Sequence, residues 1–571
     1  MCVALPKRNR VTMRLLVGLA ALSMLTGCSA PEVESKADET SALQLPDGFE
    51  EAENAINVDR IAAHVAMLSS DEMEGRGPGT QGDERARLYL AEEMASMGLT
   101  PGFDGLWEQP ISLVSIETTT PERWSFSSDG STLDLDFWQD YIAFSGMQTD
   151  SVSIDDAELV FVGYGIQAPE YDWDDYKGVD LTGKVLLMLN NDPDWDSALF
   201  EGETRLYYGR WDYKYESAAA QGAVGAIIVH TTPSAGYPWQ VVQTSWTGPQ
   251  FELPAGEEAR IRVKAWVTEE AATRLANMAG LELAELVESA KKPDFEPVPL
   301  GVSTSLTFSN SIEQVQSANV GGLLSGSDLA DQVVVYTAHH DHFGIGKADA
   351  GGDMIYNGAR DNASGCAELL TIAEAFTSLP ELPRRSVLFL FVAAEEQGLL
   401  GSEYFVQNPT FEPGKIAANV NLDGANIWGR ARDLTYIGYG KSSLDSVVEA
   451  AAKRQGRVVK GDQFPDRGHF YRSDQFNFAK IGVPAVYIDK PTEIIGKPEG
   501  WGREQMNAWE EVHYHQPSDE MSDTWDLAGA VDDTRVAFAV GLSIADAESL
   551  PSWKPGDEFE AARLAALGQM P

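Results

Sequence analysis

Apolar residues along this chain recur at two spacings, and the changes of spacing divide it into segments. From residue 60 to 68 the period is helical, with Ile61, Val65 and Leu68 on one face and Asp59 as a candidate N-cap. A loop, Glu74-Gly75-Arg76-Gly77-Pro78-Gly79-Thr80, follows, and a second helix over about 81–97 is stopped by Gly98. The next stretch is β-rich, with Trp, Asp and Gly between short apolar runs. In it 158–163 and 184–189 read as strands, a helix over 213–221 leads through Gly222 to a strand at 226–230, and 269–290 reads as one helix. Beyond about 301, buried-type strands at 332–338, 386–394, 416–422 and 484–489 alternate with helical segments. One of these is 364–376, with Cys366, Leu369, Leu370 and Ala373 on one face. Such alternation predicts an α/β domain, a mixed, mostly parallel sheet flanked by helices. The expected organisation is a catalytic domain of residues 55–114 and 301–550, interrupted by a β-rich insertion over 115–300 and followed by a tail over 551–571.

The N-terminus reads as a targeting segment. Lys7, Arg8, Arg10 and Arg14 lead into an apolar stretch over 15–25, too short for a permanent membrane span, which ends in Leu25-Thr26-Gly27-Cys28. That ending resembles a bacterial lipobox. The resemblance implies cleavage after residue 27, a lipid on Cys28 and a tether over 28–54, with Ser29 favouring the outer membrane, facing the periplasm or the cell surface. Of three cysteines, Cys2 would leave with the signal and Cys28 would carry lipid, so Cys366 would have no disulfide partner. Composition is that of a folded protein, while 88 acidic against 42 basic residues give a net charge of −46. A balance so acidic argues against nucleic acid or an anionic membrane surface as partner, since both need clustered Lys and Arg.

Candidate chemistry gathers where the later strands end. His339 and Asp341 close one strand, Glu395 and Glu396 another, and Asp423 a third, while Asp361 precedes a helix and His515 lies further on. In open α/β sheets the carboxyl ends of the strands share one rim, where ligands bind. Imidazoles and carboxylates without thiolate suit Zn²⁺, Mn²⁺ or Co²⁺ in a catalytic setting. Paired metals need an oxygen bridge, best given by a carboxylate. Adjacent Glu395 and Glu396 allow one to bind metal and the other to take a proton from water.

These motifs, in this order, resemble the zinc aminopeptidase family, which includes leucyl aminopeptidases, glutamate carboxypeptidases and glutaminyl cyclases. The resemblance is carried by Ala338-His339-His340-Asp341-His342-Phe343-Gly344, Asn357 to Gly365, Ala394 to Ser402, Asn421-Leu422-Asp423 and Tyr514-His515, with Glu74-Gly75-Arg76 and Tyr471-Arg472-Ser473-Asp474. It implies two zinc ions bridged by Asp361, with His339 and Asp423 completing one site and Glu396 and His515 the other. It further implies Glu395 as general base, Asp341 hydrogen-bonded to the far nitrogen of His339, and Tyr514 steadying the oxyanion. A cis bond between Asp361 and Asn362 is expected, and the insertion resembles a protease-associated domain that narrows access or is merely structural.

His340 and His342 compete with His339 by proximity, and the His-x-Asp spacing decides for His339. Cys366 reads as an inert core thiol, and His230 and His513 as surface or loop residues. Asp519 has no assigned role, and Arg360 stands where many relatives have an acid. The expectation is therefore a lipid-anchored aminopeptidase acting on peptide substrates. The alternatives are a carboxypeptidase of the glutamate carboxypeptidase type and a glutaminyl-cyclase-like transferase. No Gly-x-Ser-x-Gly elbow supports a serine hydrolase.

Overall fold

The structure, a computed structural model, describes residue 43 and residues 45–569. The signal segment and Cys28 lie outside the described residues. Among those described, no helix is long and apolar enough to cross a membrane.

Two sheets share one long strand, Val298–Leu324. On the catalytic side its C-terminal part pairs antiparallel with Arg385–Val392, which runs parallel to Leu329–His339, then Ile416–Asn421, then Ala485–Ile488. Asp433–Ile437 follows antiparallel to Ala485–Ile488 and pairs in turn with the short parallel strand Val458–Lys460. The expected mixed, mostly parallel sheet is present, and the strand Leu329–His339 shows why it is covered twice. Val334, Tyr336 and Ala338 pack with the helices Val58–Leu68, Gly365–Thr377 and Ala528–Asp546, while Val333 and Val335 pack with Phe405 and Phe478 on the other face. Period-2 alternation that is apolar on both sides requires helices on both sides.

The insertion has its own mixed sheet. Ser151–Phe161, Val185–Leu189, Gly225–His230 and Val263–Thr268 run parallel in that order, and Tyr141–Ser145 closes it antiparallel. The chain enters and leaves it along a ribbon in which Glu108–Thr119 pairs antiparallel with Val298–Leu324, so the expected boundaries near 115 and 300 fall inside continuous strands. The two parts also share apolar core. Tyr207 of the insertion packs on Phe476 at 5.2 Å between centroids. An insertion tied by a ribbon and an apolar seam is a fixed wall.

Several local expectations change. The cap of the first long helix is Asn57, whose side chain accepts from the Arg60 amide, so the helix starts one residue before Asp59. Segment 269–290 is two helices, Glu269–Met278 and Leu283–Ala290, parted at Gly280 with φ +71°. The tether is structured at its end, where Phe49 stacks on Phe538 at 5.1 Å. The tail is docked as well, with Trp553 Nε1 donating to Gly482 O and Arg563 Nη1 to Ile416 O. In both places a buried aromatic or charged side chain makes contacts that the segment's average polarity hides.

Arg76 joins the first loop to the sheet rim. Its guanidinium is buried and donates to the carbonyls of His340 (2.7 Å), Leu68 (2.5 Å), Asn357 (2.7 Å) and Gly358 (2.9 Å). The loops that bear His339 and Asp361 are thereby held by one planar cation. Arg76→Lys keeps the charge but lacks the fork. We expect it to lower stability by roughly 3 kcal/mol, through carbonyls left unpaired in the interior. Chemical denaturation checks this, and a loss below about 1 kcal/mol would remove the clamp from the account.

Candidate metal centre

The expected site residues meet at the carboxyl edge of the catalytic sheet. His339 is the last residue of its strand, Asp423 follows Ile416–Asn421 by two residues, and Glu395 follows Arg385–Val392 by three. Asp361 lies in the turn before Gly365–Thr377, and its bond to Asn362 is cis. The two oxygens of Asp361 face different ways. Oδ1 lies 3.2 Å from His339 Nε2, and Oδ2 lies 3.5 Å from His515 Nε2. His339 Nε2 is also 3.3 Å from Asp423 Oδ1 and 3.9 Å from Glu395 Oε2, and His515 Nε2 is 3.1 Å from Glu396 Oε2. Donor atoms of His339, Asp361 and Asp423 lie within 4.8 Å of one another, and so do those of His342, Asp361 and Glu396.

Of the competing histidines, His340 points away to Asp83 (3.0 Å). His342, which the sequence reading set aside, returns to the cluster, with Nδ1 2.6 Å from Glu396 Oε1. The buried Nε2 atom of His342 has no hydrogen-bond partner among the described residues, and that of His515 is close to Glu396 and Asp361 without a well-directed hydrogen bond to either. Close carboxylates, imidazoles and an orphaned ring nitrogen form a donor set that fits divalent cations.

Acids behind the cluster act on its backbone. The Asp341 carboxylate accepts the amides of Glu395 (3.0 Å) and Glu396 (3.4 Å). It lies 3.7 Å from His339 Nδ1, whose nearer partner is the Asp341 carbonyl at 3.3 Å. The expected ring contact of Asp341 thus goes through its backbone, and its carboxylate positions the glutamate pair. Asp519 acts likewise on Asp361, accepting the amides of Arg360 and Asp361 at 3.0 Å each. Ala394 and His515 carry positive φ of 53° and 55°, a conformation costly for L residues and frequent at functional sites.

The insertion reaches the centre. With His515 Nε2 turned to the carboxylates, its Nδ1–H donates to Ser245 Oγ at 2.7 Å. Trp211, Tyr237 and Trp246 line a cavity that also touches Glu395, Glu396 and His515. A second cavity on the other side is lined by Arg360, Asp423, Lys490, Trp509 and Tyr514. Tyr514 packs on His515 at 3.8 Å, and its hydroxyl accepts from Arg472 Nη2 at 3.1 Å. Arg360 turns back to Asp489 (3.2 Å) and lies over Trp509. Sequence reading gave no role to Ser245, Arg472 or Asp519. Arg472 carried a signal in the Tyr471–Asp474 motif and Asp519 one in its place shortly after His515, while Ser245 carried none. Two minor expectations also meet the structure. Cys366 is buried, donating to His339 O, its thiol pushed by burial to about 12. His230 is buried in the insertion rather than on a surface, held by Tyr237 O.

Burial and crowding set the proton balance. Burial lifts the Glu395 carboxyl well above its usual range against the pull of His339, with Asp423 and Glu396 adding to the rise. Burial opposes ionisation of Glu396 too, but His515 and His342 bring it down to about 2. Burial disfavours charge on His515, yet Glu396 and Asp361 raise it to about 9.

The fold and cluster define the class: an α/β protein of the zinc exopeptidase fold with a buried carboxylate–imidazole centre on its sheet edge. Residues 319–539 match the family model Peptidase family M28, in keeping with the resemblance that the motifs carry. Aminopeptidase YwaD of Bacillus subtilis is 27% identical over 248 residues, 43% of this chain and 48% of that protein. Aminopeptidase NAALADL1 of Mus musculus is 30% identical over 169 residues, 28% of this chain and 20% of that protein. Probable lipoprotein aminopeptidase LpqL of Mycobacterium tuberculosis is 26% identical over 207 residues, 33% and 40% of the two chains. This chain thus spans a fifth to about half the length of these curated relatives. Among solved structures, the aminopeptidase from Aneurinibacillus sp. strain AM-1 superposes with a TM-score of 0.51 at 19% identity, over 89% of this chain and 97% of that one, which shows the shared fold.

Two outcomes are expected. A histidine raised to about 9 gives stability that is complete below the unfolded value near 6.5 and is lost as pH rises through about 9. The metal-free protein should therefore melt earlier as pH climbs across that window. A divalent cation displaces the proton, so metal-loaded protein should lose less, and superimposable melting profiles for the two forms would contradict this. Ser245→Ala removes the partner of His515 and should weaken metal affinity roughly 10- to 100-fold, read by competition with a chelator.

Proposed function

We propose that the chain is an aminopeptidase that removes N-terminal residues from peptides with the help of two divalent ions, zinc in the first place and Mn²⁺ or Co²⁺ as substitutes. The observation that carries this reading is Asp361, whose oxygens face separate imidazole–carboxylate groups, His339 with Asp423 and His515 with Glu396. The named aminopeptidases among the relatives support the activity, and the lipoprotein relative supports the anchor at Cys28. Bound ions of this kind polarise a scissile carbonyl and acidify water.

The chain's own groups do the rest. Glu395, raised by burial, takes the proton of the attacking water and passes it to the leaving amine. Asp341 fixes that carboxylate by holding its backbone. Tyr514 accepts from Arg472, which leaves its own O–H free to donate to the developing oxyanion. Ser245 holds the His515 ring, and Asp519 the turn that bears Asp361.

Glu395→Gln should cut kcat roughly 10²- to 10⁴-fold, the usual weight of a positioned general base, while elemental analysis finds the metal content unchanged. Turnover at the wild-type rate would remove the base. Comparing peptides with free and acetylated N-termini tests the direction of attack. Cleavage of the free-amine series alone is expected, whereas cleavage of the acetylated series would replace this reading with a carboxypeptidase.

A further inference from the structure

The wall between the insertion and the catalytic domain holds a group of arginines, of which the mechanism above uses only Arg472, as the donor to Tyr514. Arg205 and Arg210 come from the insertion and Arg467 and Arg472 from the catalytic domain, and together they line one small pocket with Tyr237 and Trp211. That pocket shares Arg210, Trp211, Tyr237 and Arg472 with the cavity touching Glu395, Glu396 and His515, so the two lie side by side against the same side chains.

The charges there are not matched. Arg467 pairs with Glu510, and Arg210 with Asp212 at 3.5 Å. Neither Arg205 nor Arg472 makes an ion pair among the described residues. Arg472 donates to Tyr514 and lies 5.4 Å over the Tyr237 ring. Arg205 is 4% exposed, its one side-chain hydrogen bond among the described residues is a long 3.5 Å contact to Ala235 O, and its Nε and Nη2 have no partner among them. Asp192 on the same loop is the acid whose charge most supports the Arg205 cation, but it spends Oδ2 on the Leu206 amide, and its Oδ1, also without a hydrogen bond among the described residues, makes no ion pair with Arg205. A buried, unpartnered guanidinium is costly, and composition does not force it, because acids outnumber bases by 88 to 42.

The backbone is shaped around these stems. A Cβ at Gly209 would fall 2.7 Å from Arg205 Cγ, and one at Gly468 would fall 3.2 Å from Arg205 Cδ. Arg205 N donates to Pro465 O across the interface, which fixes its loop against the catalytic domain. Burial brings the Arg205 guanidinium down only to about 10, so it stays charged at neutral pH.

We propose that this pocket is a subsite for a carboxylate of the substrate, with Arg205 at its floor and Arg472 at the junction with the metal centre. A guanidinium fork matches a carboxylate with two charge-assisted hydrogen bonds. The inference rests on the aminopeptidase reading and narrows it to peptides that carry a carboxylate beyond the scissile bond, either a C-terminus close by or an acidic side chain.

The test uses the metal-loaded full chain with Leu-Ala, Leu-Ala-amide and Leu-Glu-amide. A carboxylate-bearing peptide should exceed Leu-Ala-amide at least tenfold in kcat/KM. Preference for Leu-Ala assigns the C-terminal carboxylate, and preference for Leu-Glu-amide the side chain. In Arg205→Gln the preference should fall below threefold, with Arg205→Lys between. Equal wild-type rates on all three, or a preference untouched in Arg205→Gln, overturn the subsite and leave the aminopeptidase reading standing. Absence of turnover on every peptide counts against that reading instead. The subsite is then judged by tryptophan fluorescence with glutarate, where saturation that Arg205→Gln abolishes supports it and a linear response overturns it. Arg467→Gln replaces Arg205→Gln in both assays if the latter does not fold.

Discussion

Packing Asp361, Glu395, Glu396 and Asp423 around the imidazoles of His339, His342 and His515 inside a folded chain is the constraint from which the rest follows. Like charges at these separations repel by several kcal/mol each wherever water is excluded. The basic neighbours Arg360 and Lys490 pair with Asp489 rather than with these acids. The chain places Asp341 and Asp519 directly behind and spends their oxygens on backbone amides, so that acids hold other acids in position. This arrangement deepens the demand for positive charge at the centre while fixing where that charge must sit. Protons on His339 and His515 meet the demand in the metal-free protein, and on the proposed reading divalent cations would meet it instead.

The insertion belongs to this scheme. A loosely hinged domain could not keep Ser245 Oγ 2.7 Å from a ring nitrogen of His515. The ribbon of Glu108–Thr119 with Val298–Leu324 and the seam at Tyr207 and Phe476 supply the required stiffness. On the proposed reading, a rigid wall beside the centre leaves a groove suited to a chain end more than to a passing chain.

Much of this was legible in the chain. Buried strands are apolar runs, and an acid or histidine that breaks such a run stands at its end, which is how His339, Glu395, Glu396 and Asp423 were found. Asp361 before its helix and His515 further on were candidates too, but their roles came only with the resemblance to the family. The choice among three histidines was only half legible, because alternation sends His340 to Asp83 but does not reveal that His342, past the strand end, turns back to Glu396. Ser245 and Arg205 had no local signal. Each is an ordinary polar residue that gains meaning from a partner more than 200 positions away. The break at Gly280 was hidden because helical periodicity holds on both sides of it.

The arginine pocket also resolves a tension in the charge distribution. A net charge of −46 repels a carboxylate-bearing peptide at a distance, and nothing in the overall composition would nominate an anion as substrate. At about 0.15 M salt the Debye length is roughly 8 Å, so the bulk of that charge fades before contact. What a ligand meets inside the groove is the local set, and there Arg205 and Arg472 stand without carboxylate partners. The summed charge and the pocket therefore act over different ranges. The first sets solubility and slows encounter at low ionic strength, while the second decides which peptide end is held once it arrives.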